Sequence, residues 1–384
     1  MTPIYLDHAA TTPLHPLAAE AMLAVMRGGP GNASSVHAFG RAAKERLSAA
    51  RDGIAERIGC KPSELVFTSG GTESDNGAII GAARAMARKG KRHIITSAVE
   101  HHAVLHTVAA LAKEGFSVTV LPVDETGAVE AASVEAALTP ETALVSIMWG
   151  NNEVGTLQPV EAIGEMARSR GALYHVDAVQ ALGSLPIDLA RLPVDLMSFS
   201  AHKIYGPQGV GALYVAAGTP FEPYAHGGSQ ERKRRAGTEN VAGITGFAKA
   251  VELATADLER RTAAVRGLRD RFEALLIERL GERGAVINGD PANRLPHITN
   301  ISLIGADTET VLMRLDLEGI AAASGSACTS GALERSHVLQ AMGLSEARLA
   351  SAVRFSFGLG NTSEEIDTAA QKVATVAERI RSNA

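Results

Sequence analysis

The sequence predicts an α/β protein with a large, mainly parallel sheet flanked by helices, joined to a smaller α+β domain. Two observations carry this expectation. Between residues 63 and 215 short β-rich runs alternate with helical patterns, the signature of a sheet wound through crossover helices. After Gly246 the alternation stops, and a long amphipathic run leads into isolated strand-like and helical stretches. A chain of 384 residues with 46% hydrophobic content can fill two such cores. The boundaries read as 15–255 for the large domain and 1–14 with 256–384 for the small one.

The elements follow in order. The run 65–69 is β-rich and ends in Ser69-Gly70-Gly71-Thr72, from which a helical pattern continues through Asn76 to Ala83. Runs at 92–97, 116–121, 143–148, 174–177 and 194–199 read as further strands, with a helix over 103–111. Leu258, Val265, Leu268, Phe272, Leu275 and Leu276 recur at helical spacing, as on a helix that leaves the first domain for the second. A strand at 298–303, a helix at 309–317 and a strand at 353–357 complete the small domain. The last helix opens on Thr362-Ser363-Glu364-Glu365, a capping-box pattern, with Ile366, Ala370, Val373 and Ile380 on one face.

Ligands bind such sheets at the carboxyl ends of the strands, where three motifs converge. Lys203 stands in Ser200-Ala201-His202-Lys203-Ile204-Tyr205-Gly206, a turn of small and hydrogen-bonding residues directly after an apolar run. A lysine so placed suits Schiff-base chemistry. Asp177, in His175-Val176-Asp177-Ala178-Val179-Gln180, ends another run, and an aspartate to face a pyridinium nitrogen is the second group that pyridoxal 5′-phosphate requires. Gly71 and Thr72 open a helix whose free N–H groups and dipole would cradle a phosphate. The segment has neither a Walker lysine nor a dinucleotide fingerprint. The residues therefore point to a pyridoxal-phosphate enzyme. Lys203 and Asp177 alone leave an aminotransferase, a selenocysteine lyase or a non-catalytic scaffold on the same fold open.

A formal charge of −5 provides no basic field for nucleic acid, and Arg232-Lys233-Arg234-Arg235 reads as a solvated loop. No leader pattern and no run of eighteen apolar residues occurs, so a cytoplasmic enzyme without membrane contact is expected. Two cysteines make no disulfide framework. Cys60 adjoins an apolar stretch and reads as packed, whereas Cys328 lies in Ser324-Gly325-Ser326-Ala327-Cys328-Thr329-Ser330-Gly331, whose small residues cannot build a core. His102 and His106 have helical i, i+4 spacing, but no third ligand pattern accompanies them, so no metal site is expected.

Taken together these motifs resemble the cysteine desulfurases, and more closely their class I, NifS/IscS-type group. The resemblance also rests on Tyr5-Leu6-Asp7-His8-Ala9-Ala10-Thr11-Thr12-Pro13, Glu100-His101-His102, Asn151-Asn152-Glu153-Val154-Gly155, Arg235-Ala236-Gly237-Thr238 and Arg354. It implies the fold-type I architecture with a seven-stranded sheet, a homodimer, and conversion of L-cysteine to L-alanine. Lys203 would carry the cofactor, Asp177 would pair with the ring nitrogen, Gln180 with the ring oxygen, and His101 would stack on the ring. Gly71, Thr72, Ser200 and His202 would hold the phosphate, with Thr238 reaching in from the other subunit. Asn152 and Arg354 would bind the substrate carboxylate, although an arginine on a strand also suits a structural ion pair. Cys328 would take the sulfur as a persulfide, for an iron–sulfur scaffold, a tRNA-thiolation protein or another acceptor. A thiol with a pKa near ~8.5 must lose its proton first, and His101 is the nearest acceptor that the resemblance offers. Ala33 and Arg335 stand where the family often has proline.

Overall fold

Residues 3–325 and 335–382 are described by a computed structural model. The first half of the chain forms β1 (Ile4–Tyr5), α1 (Pro16–Arg27), α2 (Ala38–Ile58), β2 (Leu65–Thr68), α3 (Gly71–Ala87), β3 (His93–Ser97), α4 (His102–Lys113), β4 (Ser117–Leu121), α5 (Ala131–Ala137), β5 (Thr142–Ser146), α6 (Val160–Ser169) and β6 (Leu173–Asp177). Next come β7 (Leu196–Ser200), β8 (Gly211–Val215), α7 (Val241–Thr255), α8 (Leu258–Leu280), β9 (Ala285–Asn288), β10 (Ile298–Leu303), α9 (Thr308–Leu317) and β11 (Ile320–Ala321). The chain closes with α10 (His337–Ala341), α11 (Glu346–Leu349), β12 (Ala352–Ser356) and α12 (Ser363–Ser382).

Seven strands form one sheet in the order β2-β8-β7-β6-β5-β3-β4. The pairs from β7 through β4 are all parallel, while β8 runs antiparallel to both β7 and β2. The sheet is thus mainly parallel, as the alternating pattern predicts. Its central strands are buried along their whole length because helices cover both faces, which is why they read as unbroken apolar runs. Only the edge strand β4 is substantially exposed.

The second core gathers Phe272 and Leu276 from α8, Val353 and Phe355 from β12, and Ile366 and Val373 from α12 around the antiparallel sheet β12-β10-β9. Ile4 and Leu6 belong to the same core, and β1 pairs in parallel with β11. The start of the chain therefore packs with its last third. The capping box forms as the motif predicts, with Glu365 N donating to Thr362 Oγ1 (3.2 Å) and Thr362 N to Glu365 Oε2 (3.1 Å). The amphipathic run expected after Gly246 is two helices, because Asp257 takes a left-handed conformation (φ 47°) between α7 and α8. Among the described residues no helix is long and apolar enough to cross a membrane.

The basic run departs from a simple solvated loop. Glu231, Arg232 and Lys233 all have positive φ (44°, 57° and 64°), a conformation that costs side-chain-bearing residues about 1–2 kcal/mol each. Glu231 anchors them. Its buried carboxylate takes both Nη groups of Arg51 (2.6 and 2.8 Å) and the Phe67 N–H (3.0 Å), while the Arg51 guanidinium lies 4.5 Å over the Phe67 ring. Removing one partner of such a pair strands a buried charge. Glu231→Ala is therefore expected to lower the unfolding free energy by about 3–5 kcal/mol in urea titration; a loss near zero would mean that the clasp holds nothing.

Candidate active site

The ends of β6 and β7 open into a cavity of about 250 Å³ lined by Asp75, His101, Asn152, Asp177, Ser200, Lys203 and Arg354, among others. A cavity of roughly 150 Å³ already holds benzene, so this one has room for a ring-sized ligand. A short 3-10 turn, Ala201–Lys203, carries the lysine off β7 into it. Lys203 Nζ donates to the carbonyls of Ala9 (2.6 Å) and Ala10 (2.7 Å). These carbonyls belong to the segment after β1, which is stitched to the lysine turn. Thr12 donates from N (2.9 Å) and Oγ1 (2.8 Å) to His202 O, Tyr205 N donates to Thr12 Oγ1 (2.7 Å), and the His202 ring meets Thr11 Oγ1 at 3.1 Å.

An anion cradle lies beside the lysine. Helix α3 starts at Gly71 with no side-chain cap, so its first N–H groups have no intrahelical acceptor. Gly70 precedes it at φ 151°, and a Cβ on Gly71 would come within 2.8 Å of Val179 Cγ2 and 3.7 Å of Ser200 Cβ, filling the hollow. Ser200 is 1% exposed and its Oγ has no hydrogen-bond partner. A buried hydroxyl left unsatisfied beside an uncapped helix N-terminus fits a phosphate, and Thr72 lines the same wall.

Asp177 is buried, and burial raises its carboxyl to about 6 against the opposing pull of the Val179 N–H and Lys203. Gln180 donates from Nε2 to Ala9 O (3.0 Å), while its Oε1 lies 3.2 Å from His297 Nε2. His101 caps α4, its Nδ1 accepting from Ala103 N (3.1 Å). Burial first, then Lys203 and the neighbouring histidines 102, 337 and 106, lower its pKa to about 4. A neutral His101 therefore holds its proton on Nε2 and offers the cavity a donor; it can take a thiol proton only after giving up its own. His202 is likewise held down to about 4 by burial and Lys203.

Arg354, on β12, is 1% exposed and lines the cavity, and it makes the structural ion pair that an arginine on a strand suits. Its Nη2 pairs with Asp7 (2.7 Å), its Nη1 donates to Asn152 O (3.0 Å), and its buried Nε has no partner. Thr238 stands apart. It is exposed and lines a separate hollow with Ser69 and Arg235, so within one chain it does not meet the other candidates.

Cys328 lies outside the described residues. On its C-terminal side Arg335 pairs with exposed Glu346, and the Ser336 hydroxyl donates to Glu153. Cys60 is half-buried against the large core, and burial, then Glu64, push its thiol up to about 12, far from a reactive thiolate. His102 stacks on His106 (5.1 Å) and tilts against His337 (4.6 Å), yet among the described residues no group of three potential ligands surrounds a metal position.

The sequence reading missed Asp75, Asp7 and the Ala9 and Ala10 carbonyls. Asp7 sits inside Tyr5-Leu6-Asp7-His8 and Asp75 three residues after Thr72, but which carboxylate turns inward depends on tertiary packing. Backbone carbonyls leave no mark in the residue types at all.

The class-V aminotransferase family matches residues 4–368. A cysteine desulfurase IscS of Dictyoglomus turgidum is 46% identical over 378 residues, covering 98% of this chain and 95% of the relative. One of Methanosarcina thermophila is 46% identical over 379 residues, covering 98% and 93%. A solved structure described as a NifS-like protein superposes with a TM-score of 0.92 at 37% identity, over 98% of this chain and 100% of that one.

Because Ser200 Oγ has no partner to lose, Ser200→Ala is expected to leave unfolding within about 0.5 kcal/mol of the parent while weakening inorganic phosphate binding by roughly tenfold. Calorimetric titration with phosphate checks this, and unchanged affinity would remove Ser200 from the cradle. Glu100 gives a pH signature. Burial raises its carboxyl to about 8 from an ordinary 4.5, so its contribution is present below 4.5 and is lost as pH rises through 8. The stability of Glu100→Gln relative to the parent should therefore climb with pH across that window, measured by urea unfolding at a series of pH values. A flat difference would show that Glu100 is ionised throughout.

Proposed function

We propose, from the premise that the chain belongs to the class-V aminotransferases and within them to the cysteine desulfurases, that it converts L-cysteine to L-alanine at the cavity around Lys203 and leaves the sulfur on Cys328. The observation that carries the reading is one cavity holding an amine, a buried carboxylate and an anion cradle, the three features that pyridoxal 5′-phosphate needs. Lys203 would bind its aldehyde carbon, Asp177 its ring nitrogen and Gln180 its ring oxygen, with His101 over the ring face. Thr72, Ser200, His202 and the start of α3 would hold its phosphate. When bound, the cofactor supplies an electron sink that makes the substrate Cα proton acidic.

The chain's own groups account for the rest. Arg354, already 3.0 Å from Asn152 O, offers its guanidinium to the substrate carboxylate and orients the amino acid. Lys203 Nζ, once released, accepts the Cα proton and can return it on the product side. In the sulfur transfer Cys328 Sγ bonds to the substrate sulfur, the substrate Cβ–S bond breaks, and the carbon takes a proton. L-cysteine and a thiol thereby become L-alanine and a persulfide with no external oxidant. His101, with its proton on Nε2, would donate rather than accept in that exchange.

The enzyme would work as a homodimer in which Thr238 of one copy completes the phosphate site of the other. Its exposure, and the exposed apolar side chains Leu17, Leu23 and Met26 on α1, support that reading. The persulfide would pass to an iron–sulfur assembly protein or another thiol acceptor in the cytoplasm.

The test is mass spectrometry of the enzyme after L-cysteine, with alanine quantified in the same sample. The parent and Cys60→Ser should gain one sulfur on the peptide containing residue 328 and release alanine. Cys328→Ser should do neither, because a serine hydroxyl cannot store transferable sulfur. Sulfur on the Cys60 peptide, or undiminished alanine from Cys328→Ser, would overturn the assignment.

A further inference from the structure

Asp75 lines the same cavity as Asp177 and Lys203 but has no part in the chemistry above. It is the fifth residue of α3, is 1% exposed, and its Oδ1 has no hydrogen-bond partner. The nearest cation-forming group is His175 on β6, whose Nε2 is 3.6 Å from Oδ1, too far for a hydrogen bond. Both nitrogens of His175 are taken by hydroxyls, Nδ1 by Ser146 Oγ at 2.8 Å and Nε2 by Ser198 Oγ at 2.9 Å, and burial lowers the ring to about 3. His175 is therefore neutral and is no counter-ion.

The other groups facing Asp75 do not compensate a charge either. Burial first, then Asp177 on β6, raise the Asp75 carboxyl well above its usual range; the Ser198 hydroxyl on β7 pulls it down, and Glu100, from the turn before α4, pushes it up again. Lys203 donates to the Ala9 and Ala10 carbonyls, and its charge pulls on Asp177. Burial without a cation is enough to keep Asp75 protonated, and repulsion from an ionised Asp177 only adds to it.

We propose that Asp75 is a positioning residue held as the neutral carboxylic acid, so that Asp177 alone presents a negative charge to the cavity. Asp75 thereby keeps Asp177 ionised where a cationic ring nitrogen would sit. The assignment concerns the chain itself and holds whether or not the site takes the cofactor proposed above, so the two can fail separately.

Infrared spectroscopy of the full-length chain at pH 8, grown on carboxyl-carbon-13 aspartate and recorded without cofactor, tests it. A protonated-carboxyl band shifted by the label is expected in the parent; the label separates it from Glu100. The band should vanish in Asp75→Asn and persist in Asp177→Asn. Absence of the band in the parent, its survival in Asp75→Asn, or its loss in Asp177→Asn would each overturn the proposal. Should Asp75→Asn not fold, the labelled Asp177→Asn chain still decides. With pyridoxal phosphate added, Asp75→Asn should bind within about threefold of the parent and Asp177→Asn at least about tenfold more weakly, because only the second removes a charge-assisted bond. Equal loss in both would place a working charge on Asp75 and reject its neutrality.

Discussion

Parallel pairing sets Asp177 of β6 opposite Ser198 of β7, and the mouth of the sheet inherits that register. Because side chains alternate between faces, a slip of one residue would turn Asp177 away from the cavity and shift Ser200 and Lys203 with it. The same row continues sideways. Ser200 pairs with Gly211 of β8, and Gly211 pairs with Thr68 of β2, which brings the start of α3 beside the Ser200 hydroxyl. Gly211 has to be glycine here, since a Cβ would meet Phe199 O at 2.5 Å and Gly70 Cα at 2.7 Å. The amine, the acid and the cradle thus come from backbone pairing first and side-chain chemistry second.

Much of this was legible in the residue pattern because the signals were local. The strand 298–303 and the capping box at Thr362 depend on neighbours a few residues away, and the structure places them where the pattern does. The strand-end positions of Asp177 and Lys203 were legible for the same reason. What escaped required distant partners. β8 pairs antiparallel with β2, the segment after β1 lies across Lys203, and the acidic residues at 75 and 7 turn inward, each through contacts made more than a hundred residues away. The first turn of α3, from Gly71, carries no apolar periodicity because it holds polar residues beside the cradle. The basic run read as solvent-facing by composition, yet Arg235 reaches back to Glu73 (2.8 Å) and its neighbour Glu231 is buried.

Burial sets the electrostatics of the cavity more than any single pair does. The imidazoles of His101 and His202 are neutral at physiological pH because a dry wall penalises their charged forms. The positive charge facing the space is left to Lys203 and Arg354, each tethered to oxygen atoms of residues 7–10 or 152. The two cations are thus already aimed rather than free to wander, which lowers the ordering cost of binding an anionic group there.

The pairing of Asp7 with Arg354 spans 347 positions, and Ser356 Oγ accepts from Ala9 N across the same distance. On a ribosome the segment that steadies Lys203 emerges 347 residues before the strand that anchors it. The large sheet can form while the chain is still being made, but the catalytic cavity closes only after β12 has been released and has docked. An incomplete chain therefore carries Lys203 and the segment across it without the strand that fixes that segment in place.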